Sequence, residues 1–275
     1  MYYFLDWGFM LITRFIRGLS QVSGIYKIYE MMLEKEIKNG PMPNHIAFIL
    51  DGNRRWALSQ RYPKTAGYRW GASKAEEVLN WCLELGVKTV TLYILSTENI
   101  RRRSKEELDA IYSVIKDYAR KALNDERFDK NKVKVKVIGL YELLPRDVAS
   151  LLKKLEEKTR TYDKHVLNLA VAYGGRREIV EATKRIIKEV LEGKLNPSDI
   201  DEDLFEKYLF TGSQKHPNPD LVIRTSGEYR LSNFLIWQTA YSELVFLDAY
   251  WPEFRRIDLL RAIRLYQKRS RRFGA

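Results

Sequence analysis

Short apolar runs alternate with amphipathic stretches along most of the chain. Five runs have the length and composition of buried strands: HIAFIL from residue 45, KTVTLYIL from 88, KVKVKVIG from 132, VLNLAVAY from 166 and DLVIRT from 220. Strands that alternate with helices are typical of parallel sheets with helices on their faces. The pattern therefore predicts an α/β fold with a central, mostly parallel β-sheet flanked by helices.

Four amphipathic segments between these runs predict the helices. Their apolar residues recur at spacings of three and four, and the segments are 69–85, 104–123, 145–158 and 177–191. Ser104 and Glu107 form a capping-box pattern at the start of the second segment. Lysines alternate with valines in KVKVKV, which is typical of an edge strand protected against aggregation.

The first forty residues are predicted to form a separate segment. Residues 38–44, KNGPMPN, contain two prolines and a glycine and predict a linker. We expect an N-terminal amphipathic helical segment over 1–40 and a single domain over 41–275. Within this segment, five apolar residues at helical spacing form one stripe: Leu5, Phe9, Ile12, Ile16 and Leu19. The stripe fits a helix in a membrane interface, and it equally fits a helix packed on its own domain or on a partner.

Charge and cysteine content narrow the choice of partners. The chain has 275 residues and a formal charge of +12, from 48 Lys and Arg against 36 Asp and Glu. This balance favours nucleic acid, an acidic membrane surface or a phosphorylated small molecule, or else reflects a generally basic surface. Cys82 is the only cysteine in the sequence, which excludes an intrachain disulfide and a cysteine-based metal site. A single cysteine also fits a reducing compartment. No run approaches about 18 apolar residues, so no membrane span is predicted.

The first run ends on Asp51, Gly52 and Asn53, and two arginines follow. In open α/β sheets, ligands bind beyond the carboxyl ends of the strands. Free N–H groups at a helix start and the planar fork of Arg55 suit phosphate oxygens. A carboxylate beside a diphosphate would need a cation between them, and Mg²⁺ commonly takes one or two carboxylates plus substrate phosphates. Spacing alone supports equally the interpretation of Asp51 as a plain helix N-cap.

A second candidate site follows the run that starts at residue 220. Arg224 ends this run, and Arg230 and Ser232 follow a serine–glycine turn. Two arginines and a hydroxyl group around one turn suit a second anionic group. The alternative is that these arginines form salt bridges to Glu228 and Glu243.

Two further strand ends carry small or polar residues. Ser96, Thr97, Glu98 and Asn99 follow VTLYIL, where Ser96 and Asn99 could transfer a proton through hydrogen bonds or the block could be a helix cap. YGGRRE at 173–178 lacks the full Gly-x-Gly-x-x-Gly pattern, so it predicts a tight strand-to-helix turn more than an anion site.

Six blocks, in this order, resemble the cis-prenyltransferases. They are HIAFILDGNRRWA, LYILSTENIRR, VAYGGRREIV, DLVIRTSGEYRLSNFLIWQTAYSELVF, WPEF and the terminal RRFG. The resemblance covers about 43–274 and is closest to the archaeal and eukaryotic branch of a family that includes undecaprenyl and dehydrodolichyl diphosphate synthases. It implies that 41–275 is a catalytic domain of the cis-prenyltransferase fold with a hydrophobic tunnel.

The resemblance also implies the reaction. Isopentenyl diphosphate units would be added in sequence to an allylic diphosphate, farnesyl or geranylgeranyl diphosphate. The product would be a long-chain, undecaprenyl-like polyprenyl diphosphate, the precursor of a glycosyl carrier lipid. The family pattern further implies Mg²⁺ as cofactor and a homodimer in which the terminal RFG of one subunit reaches toward the site of the other. We expect a cytoplasmic enzyme that can contact the membrane surface through its N-terminal helix, and we expect no nucleic-acid partner.

Individual roles follow from the resemblance alone. Asp51 and Asn99 would be catalytic, and Asp51 and Glu243 would hold Mg²⁺. The implied substrate-binding residues are Gly52, Asn53, Arg54, Arg55, Trp56, Lys64, Tyr68, Ser96, Thr97, Glu98, Arg102, Arg224, Arg230, Leu231 and Ser232.

The chain departs from the family pattern at three positions, Lys64, Tyr68 and Ile100. Lys64 stands where the family has an arginine, and it keeps the charge but loses bidentate geometry. Tyr68 stands where bacterial members have a histidine, which puts a proton-transfer role at this position in doubt. Ile100 stands where the family has a tryptophan, which changes one wall of the cleft. We expect the tunnel to be lined by apolar helix faces that carry Leu79, Leu83, Ile111 and Ile115. Ordinary core packing explains the same apolar residues.

Three other classes of protein compete with this interpretation. Non-catalytic partner subunits of the family lack the aspartate that is present here as Asp51. A nucleic-acid binder would explain the charge, but the basic residues are scattered and no known nucleic-acid module is found. The trans-prenyltransferases use paired aspartates, and this chain has no Asp-Asp pair.

Overall fold

The computed structural model describes residues 24–269, which fall into two compact units. The larger unit is Pro43–Glu253, and the smaller joins the described residues before Pro43 to those from Phe254 onward. The C-terminal helix therefore belongs with the helix that precedes the linker, whereas the sequence placed it in the domain 41–275. The predicted stripe from Leu5 to Leu19 and the terminal RRFG lie outside the described residues.

The described part of the smaller unit contains two helices, α1 (Gly24–Lys38) and α10 (Arg256–Arg269). Arg256 joins them through ion pairs of 3.0 Å to Glu30 and 2.8 Å to Glu34. The hydrogen bond from Arg256 lowers the pKa of Glu34 to about 2. This contact holds the two ends of the chain's described part in one unit.

The larger unit is built on a six-stranded sheet in the order β3-β4-β2-β1-β5-β6, and all its pairings are parallel. The strands are β1 His45–Ile49, β2 Thr89–Ser96, β3 Val133–Ile138, β4 His165–Tyr173, β5 Leu221–Arg224 and β6 Glu243–Phe246. The predicted parallel α/β sheet is confirmed, and the lysine-rich β3 is an edge strand as expected. Strand β6 was not predicted, although its segment contains the apolar run LVFL at 244–247.

Helices connect these strands and cover the sheet. Their bounds are α2 Asn53–Ser59, α3 Ala66–Glu84, α4 Thr97–Arg102, α5 Lys105–Leu123, α6 Glu126–Lys130, α7 Arg146–Lys158, α8 Gly175–Leu191 and α9 Glu202–Tyr208. Short 3₁₀ turns occupy Tyr141–Leu143, Pro197–Asp199 and Trp251–Glu253. None of the helices within 24–269 has the length and apolar character needed to cross a membrane.

Two glycines of α3 fix the loop that follows β1. A Cβ on Gly67 would lie 2.2 Å from the carbonyl oxygen of Asn53, and a Cβ on Gly71 would lie 2.1 Å from Asn53 Oδ1. Trp251 adds a hydrogen bond of 2.7 Å from its Nε1 to the carbonyl of Gly71. Because Gly67 and Gly71 have no side chains, the start of α2 can approach this face of α3 closely, which sets the position of Asp51.

Candidate active site

A cavity of about 960 Å³ runs along one face of the sheet. Its lining reaches from Ser96, at the carboxyl end of β2, to Lys88, just before that strand begins. Eight strand residues at about 3.3 Å each correspond to roughly 25 Å. The four residues predicted as tunnel walls all line this cavity: Leu79, Leu83, Ile111 and Ile115.

The polar groups predicted from three separate strand ends meet at one end of this cavity. The predicted site residues in its lining are Asp51, Asn53, Arg54, Tyr68, Ser96, Glu98, Asn99, Arg102, Arg224, Arg230 and Ser232. They converge because β1, β2 and β5 are adjacent and parallel, so their carboxyl ends share one edge. An apolar chamber with a cationic mouth suits a ligand with a charged head and a long apolar tail.

An ion pair between Asp51 and Arg224 lies at the centre of this mouth. The Nη2 of Arg224 is 2.8 Å from Oδ2 of Asp51, and the arginine side chain is only 4% exposed. Its Nη1 donates to the Oγ of Ser232 at 2.8 Å and to the carbonyl of Arg230. Burial raises the pKa of Asp51, but the hydrogen bond and charge of Arg224 outweigh it, and the pKa lies below its ordinary value. Asp51 is therefore an anion in the ligand-free site.

A second set of contacts surrounds Glu228 at the rim. Arg55 lies 3.3 Å from Asp51 and 3.4 Å from Glu228. Arg230 also pairs with Glu228, and its side chain is 61% exposed. Arg230 therefore forms the salt bridge to Glu228 that the sequence left open as an alternative. A diphosphate that binds Arg230 has to compete with this carboxylate.

A polar network at the opposite side of the mouth contains two residues that the sequence analysis did not place in the site. Glu107 accepts hydrogen bonds from Arg54 at 3.0 Å and from Tyr68 at 3.2 Å. The guanidinium of Arg103 lies 5.3 Å from the ring centre of Tyr68 and donates to its hydroxyl. Burial lowers the pKa of Arg103. Arg54, predicted to bind substrate, is therefore held in place by a carboxylate.

The sequence signal for Glu107 pointed to a helix cap. Half of that cap is present, since the Ser104 Oγ accepts the N–H of Glu107 at 3.2 Å. The carboxylate of Glu107, however, bonds Arg54 and Tyr68. Arg103 was hidden for a different reason: it is the last of three consecutive arginines, and the sequence does not show which of them faces the cavity.

The block that ends β2 is both a helix cap and part of the cavity wall. Ser96 accepts the N–H of Asn99 at 3.0 Å through its Oγ and caps α4. Glu98 accepts a hydrogen bond of 2.7 Å from Asn233, another lining residue that the sequence analysis did not single out. Thr97 donates to Glu98 at 3.2 Å. The cap fixes the backbone that presents Asn99 to the cavity.

The YGGRRE segment forms a tight turn, as the sequence favoured. Asn233 occupies the start of α8, since its Oδ1 accepts the N–H of Arg176 and its carbonyl accepts that of Gly175, both at 2.8 Å. A Cβ on Gly174 would lie 2.8 Å from the Nδ2 of Asn233. The helix start is thus occupied by the chain itself, and the glycines allow the close approach.

Several predicted site residues do not line the cavity: Gly52, Arg55, Trp56, Lys64, Thr97, Leu231 and Glu243. Gly52 has a left-handed φ of 99°, and a Cβ there would lie 2.8 Å from Cδ1 of Tyr250, so this position needs glycine. Trp56 packs beside Trp70, with ring centres 5.4 Å apart.

The two predicted metal ligands, Asp51 and Glu243, lie near opposite ends of the strands within one chain. Glu243 begins β6 and is level with Leu221 of β5, which is level with Ile46 of β1. Asp51 follows the other end of β1, five residues on, so the two carboxylates are separated by about 15 Å or more along the strands. Within one chain these side chains therefore lie too far apart to share one ion, and the role of Glu243 at Mg²⁺ stays a prediction.

The residues present at the mouth fit an ion that is bound largely by substrate. Within 24–269, no three His, Cys, Asp or Glu side chains come together to hold a metal ion. Asp51 supplies a single partly exposed carboxylate beside the cationic groups. Mg²⁺ accepts one carboxylate together with water and phosphate oxygens. The donor set is suited to Mg²⁺ carried by a diphosphate, and does not form an all-protein cage.

Residues 49–274 match the model of the undecaprenyl diphosphate synthase family. The chain belongs to this family. A tritrans,polycis-undecaprenyl-diphosphate synthase (geranylgeranyl-diphosphate specific) from Methanopyrus kandleri is 51% identical over 95% of this chain and 96% of its own length. A protein with the same name from Methanocaldococcus jannaschii is 48% identical over 97% of this chain and 95% of its own.

The fold of a solved plant enzyme agrees with this membership. Lavandulyl diphosphate synthase from Lavandula x intermedia, in complex with dimethylallyl diphosphate, has a TM-score of 0.81 and 37% identity over 85% of this chain and 99% of its own. The protein is an enzyme, a cis-type prenyltransferase that elongates prenyl chains. The family, the fold and the enzyme class indicated by the sequence are confirmed.

Proposed function

We propose that this enzyme extends geranylgeranyl diphosphate with isopentenyl diphosphate units to an undecaprenyl-like, long-chain polyprenyl diphosphate. The names of both archaeal relatives specify geranylgeranyl diphosphate, which favours this starter over farnesyl diphosphate. The product would serve as precursor of a glycosyl carrier lipid. The observation that carries the proposal is the apolar cavity of about 960 Å³ with its cationic mouth.

The two diphosphates would bind on opposite sides of Asp51. On one side Arg54 and Arg102 line the cavity next to the loop after β1, and they would hold the allylic diphosphate. On the other side Arg230 and Ser232 would hold isopentenyl diphosphate. This arrangement places the allylic tail in the apolar part of the cavity and the reacting double bond at the mouth.

Mg²⁺, held by Asp51 and the substrate oxygens, would supply a positive charge that favours departure of the diphosphate. Arg54 and Arg102 would stabilise the negative charge that develops on the leaving oxygens. In the reaction the allylic C1–O bond breaks and its electron pair leaves with the diphosphate. The π electrons of isopentenyl diphosphate form the new bond to C1, and loss of a proton from C2 restores a double bond in the cis configuration.

Ser96 and Asn99 would handle the departing proton. Asn99 lines the cavity, and its backbone is fixed by the 3.0 Å hydrogen bond to Ser96. An amide is not a base at neutral pH, so Asn99 would orient the proton acceptor, a water molecule or a diphosphate oxygen, through hydrogen bonds. Glu98, whose carboxylate Asn233 binds, would hold this wall of the site in place.

A homodimer and a peripheral membrane contact complete the proposal. The described part of the N-terminal segment supports the latter, since α1 exposes Ile28, Met31 and Met32 by 59%, 64% and 65%. These residues share one helical face at spacings of three and four. Such a face beside basic residues is typical of helices that lie at a membrane surface, where a long-chain lipid product would be delivered.

A chain-length assay tests the proposed function. Purified full-length enzyme is incubated with Mg²⁺, radiolabelled isopentenyl diphosphate and dimethylallyl, geranyl, farnesyl or geranylgeranyl diphosphate in turn. We expect the highest kcat/KM with geranylgeranyl diphosphate and long-chain products. Failure to incorporate label with any starter would refute the proposal, and a preference for farnesyl diphosphate would refute its starter.

A further inference from the structure

A group of charged and polar side chains closes the cavity far from its mouth. We call it the distal latch, and it consists of Glu76, Asn80, Lys121, Asp125 and Arg127. All five line the cavity. Lys121 lies 14 residues after Glu107 of the mouth on α5, which at roughly 1.5 Å per residue is about 21 Å along the helix. Polar groups thus return only after a long stretch of apolar wall.

The latch ties together three helices: Arg127 joins α6 to α3, and Lys121 joins α5 to α3. Arg127 of α6 bonds Glu76 of α3 at 2.6 Å and Asn80 at 3.0 Å. Its Nε lies 3.0 Å from Asp125, which caps α6. Lys121, near the end of α5, bonds the second oxygen of Glu76 at 2.6 Å. The hydrogen bonds of Arg127 to Asp125 and Glu76 raise the pKa of this arginine.

The latch also borders a surface depression. This depression is lined by Lys121, Asp125 and Arg127, which line the cavity as well. Side chains that face both spaces form a wall one side chain thick. Arg127 and Lys121 are 43% and 56% exposed, and ion pairs screened by water in this way are weak and open readily. The wall is therefore thin and held by interactions that can break.

We propose that the distal latch sets the length of the product by stopping the growing prenyl tail. A hydrocarbon end that reaches the latch has to desolvate and separate paired charges, which is unfavourable. Elongation by further isoprene units then requires the latch to open toward the surface depression. This inference rests on the proposed function, because a stop for the tail has meaning only in an enzyme that elongates.

Two substitutions test the latch in the full-length enzyme. Arg127→Met keeps a long side chain but removes the charge and the forked hydrogen bonds, and Glu76→Gln keeps the shape but removes both ion pairs. Lys130→Ala is the matched control, since Lys130 pairs with Glu126 on the same helix and lines only the outer depression. Products made from geranylgeranyl diphosphate and radiolabelled isopentenyl diphosphate are dephosphorylated and resolved by length.

We expect the main product of both latch variants to lengthen by at least one isoprene unit, while Lys130→Ala gives the wild-type distribution. A purely structural role would change the amount of product and the melting temperature but not the chain length. If both folded, active variants made wild-type lengths or shorter chains, the inference would be overturned. If the wild-type enzyme failed to elongate any starter, the proposed function would fail instead, so the two failures are distinguishable.

Discussion

The carboxylate of Asp51 and the guanidinium of Arg224 join the carboxyl ends of two adjacent strands through a 2.8 Å contact. The arginine is nearly inaccessible to water, and Asp51 is the group we propose to hold Mg²⁺. One contact thus connects the proposed metal ligand with Ser232, which Arg224 also bonds. Binding of the ion and of isopentenyl diphosphate should therefore be coupled through these two side chains.

Asp51→Ala and Asp51→Asn should each lower kcat by at least about 100-fold, because both remove the charge proposed to hold Mg²⁺. Asp51→Asn keeps a hydrogen-bonding partner for Arg224, so its melting temperature should stay closer to that of the wild type. Asp147→Ala is the control, since Asp147 forms an exposed pair with Lys116. Incorporation of radiolabelled isopentenyl diphosphate measures the rates. Near-normal turnover by either Asp51 variant would contradict the assignment.

The separate halves of this site could be predicted from the sequence, but their arrangement could not. Asp51 and Arg224 each follow an apolar run, so each was placed at a strand end. Their contact spans 173 positions and exists because β5 pairs with β1, and local periodicity carries no information about strand order. The same limit applies to Glu243, because the register of β6 decides at which end of the strands its side chain lies.

Residues that also serve as caps or turns were the hardest to find. Glu107 matched a capping box, and Asn233 lies in a loop with no periodic pattern, yet both line the cavity. Their side chains reach partners 53 and 135 positions away, Arg54 and Glu98. Only the folded chain shows these contacts, whereas helical periodicity alone identifies the apolar helix faces whose residues line the cavity.

Mg²⁺ should bind together with substrate. The described residues form no cluster of three metal-ligating side chains, so Mg²⁺ alone should leave the melting temperature unchanged. Mg²⁺ plus isopentenyl diphosphate should raise it by an amount that grows with ligand concentration. Asp51→Asn should lose this Mg²⁺-dependent part. Differential scanning fluorimetry makes the comparison, and a large shift with Mg²⁺ alone would point to a preformed metal site instead.

Arg230→Ala should raise the KM for isopentenyl diphosphate by about 10- to 100-fold, the usual range for loss of a charge-assisted hydrogen bond. The KM for the allylic diphosphate should change less, because Arg230 lies on the opposite side of Asp51 from Arg54 in the proposed arrangement. Arg120→Ala is a suitable control, since this arginine is 63% exposed and pairs with Asp117. Steady-state kinetics with each substrate varied in turn gives both constants. A larger effect on the allylic KM would mean that the two sites are exchanged.

The N-terminal segment should promote membrane association. A chain that lacks residues 1–23 retains α1 and the residues of its ion pairs with α10, and its melting temperature checks that it is folded. We expect the intact chain to float with anionic liposomes to a greater extent than the truncated chain. Replacement of Met31 and Met32 by glutamate in the intact chain should also reduce flotation relative to the unmodified intact chain, because it puts charge on the exposed face of α1. Equal flotation of all three proteins would refute the membrane contact.

His45 should make stability depend on pH in the acidic range. Its side chain is fully buried and bonds Thr91 at 2.7 Å, and burial lowers its pKa to about 3. Between about pH 6.5, the ordinary value, and pH 3 the unfolded chain binds a proton at this histidine and the native chain does not. The free energy of unfolding should therefore fall as the pH falls through this window, by on the order of 5 kcal/mol in total.

His45→Gln isolates this contribution, because glutamine can still hydrogen-bond Thr91 but does not titrate. Urea unfolding at several pH values between 4 and 7 should give a smaller slope of unfolding free energy against pH for the variant than for the wild type. Carboxylates titrate in both proteins, so the difference between the two slopes reports His45 alone. Identical slopes would show that His45 is protonated in the native state or accessible to water, in conflict with its place in the core.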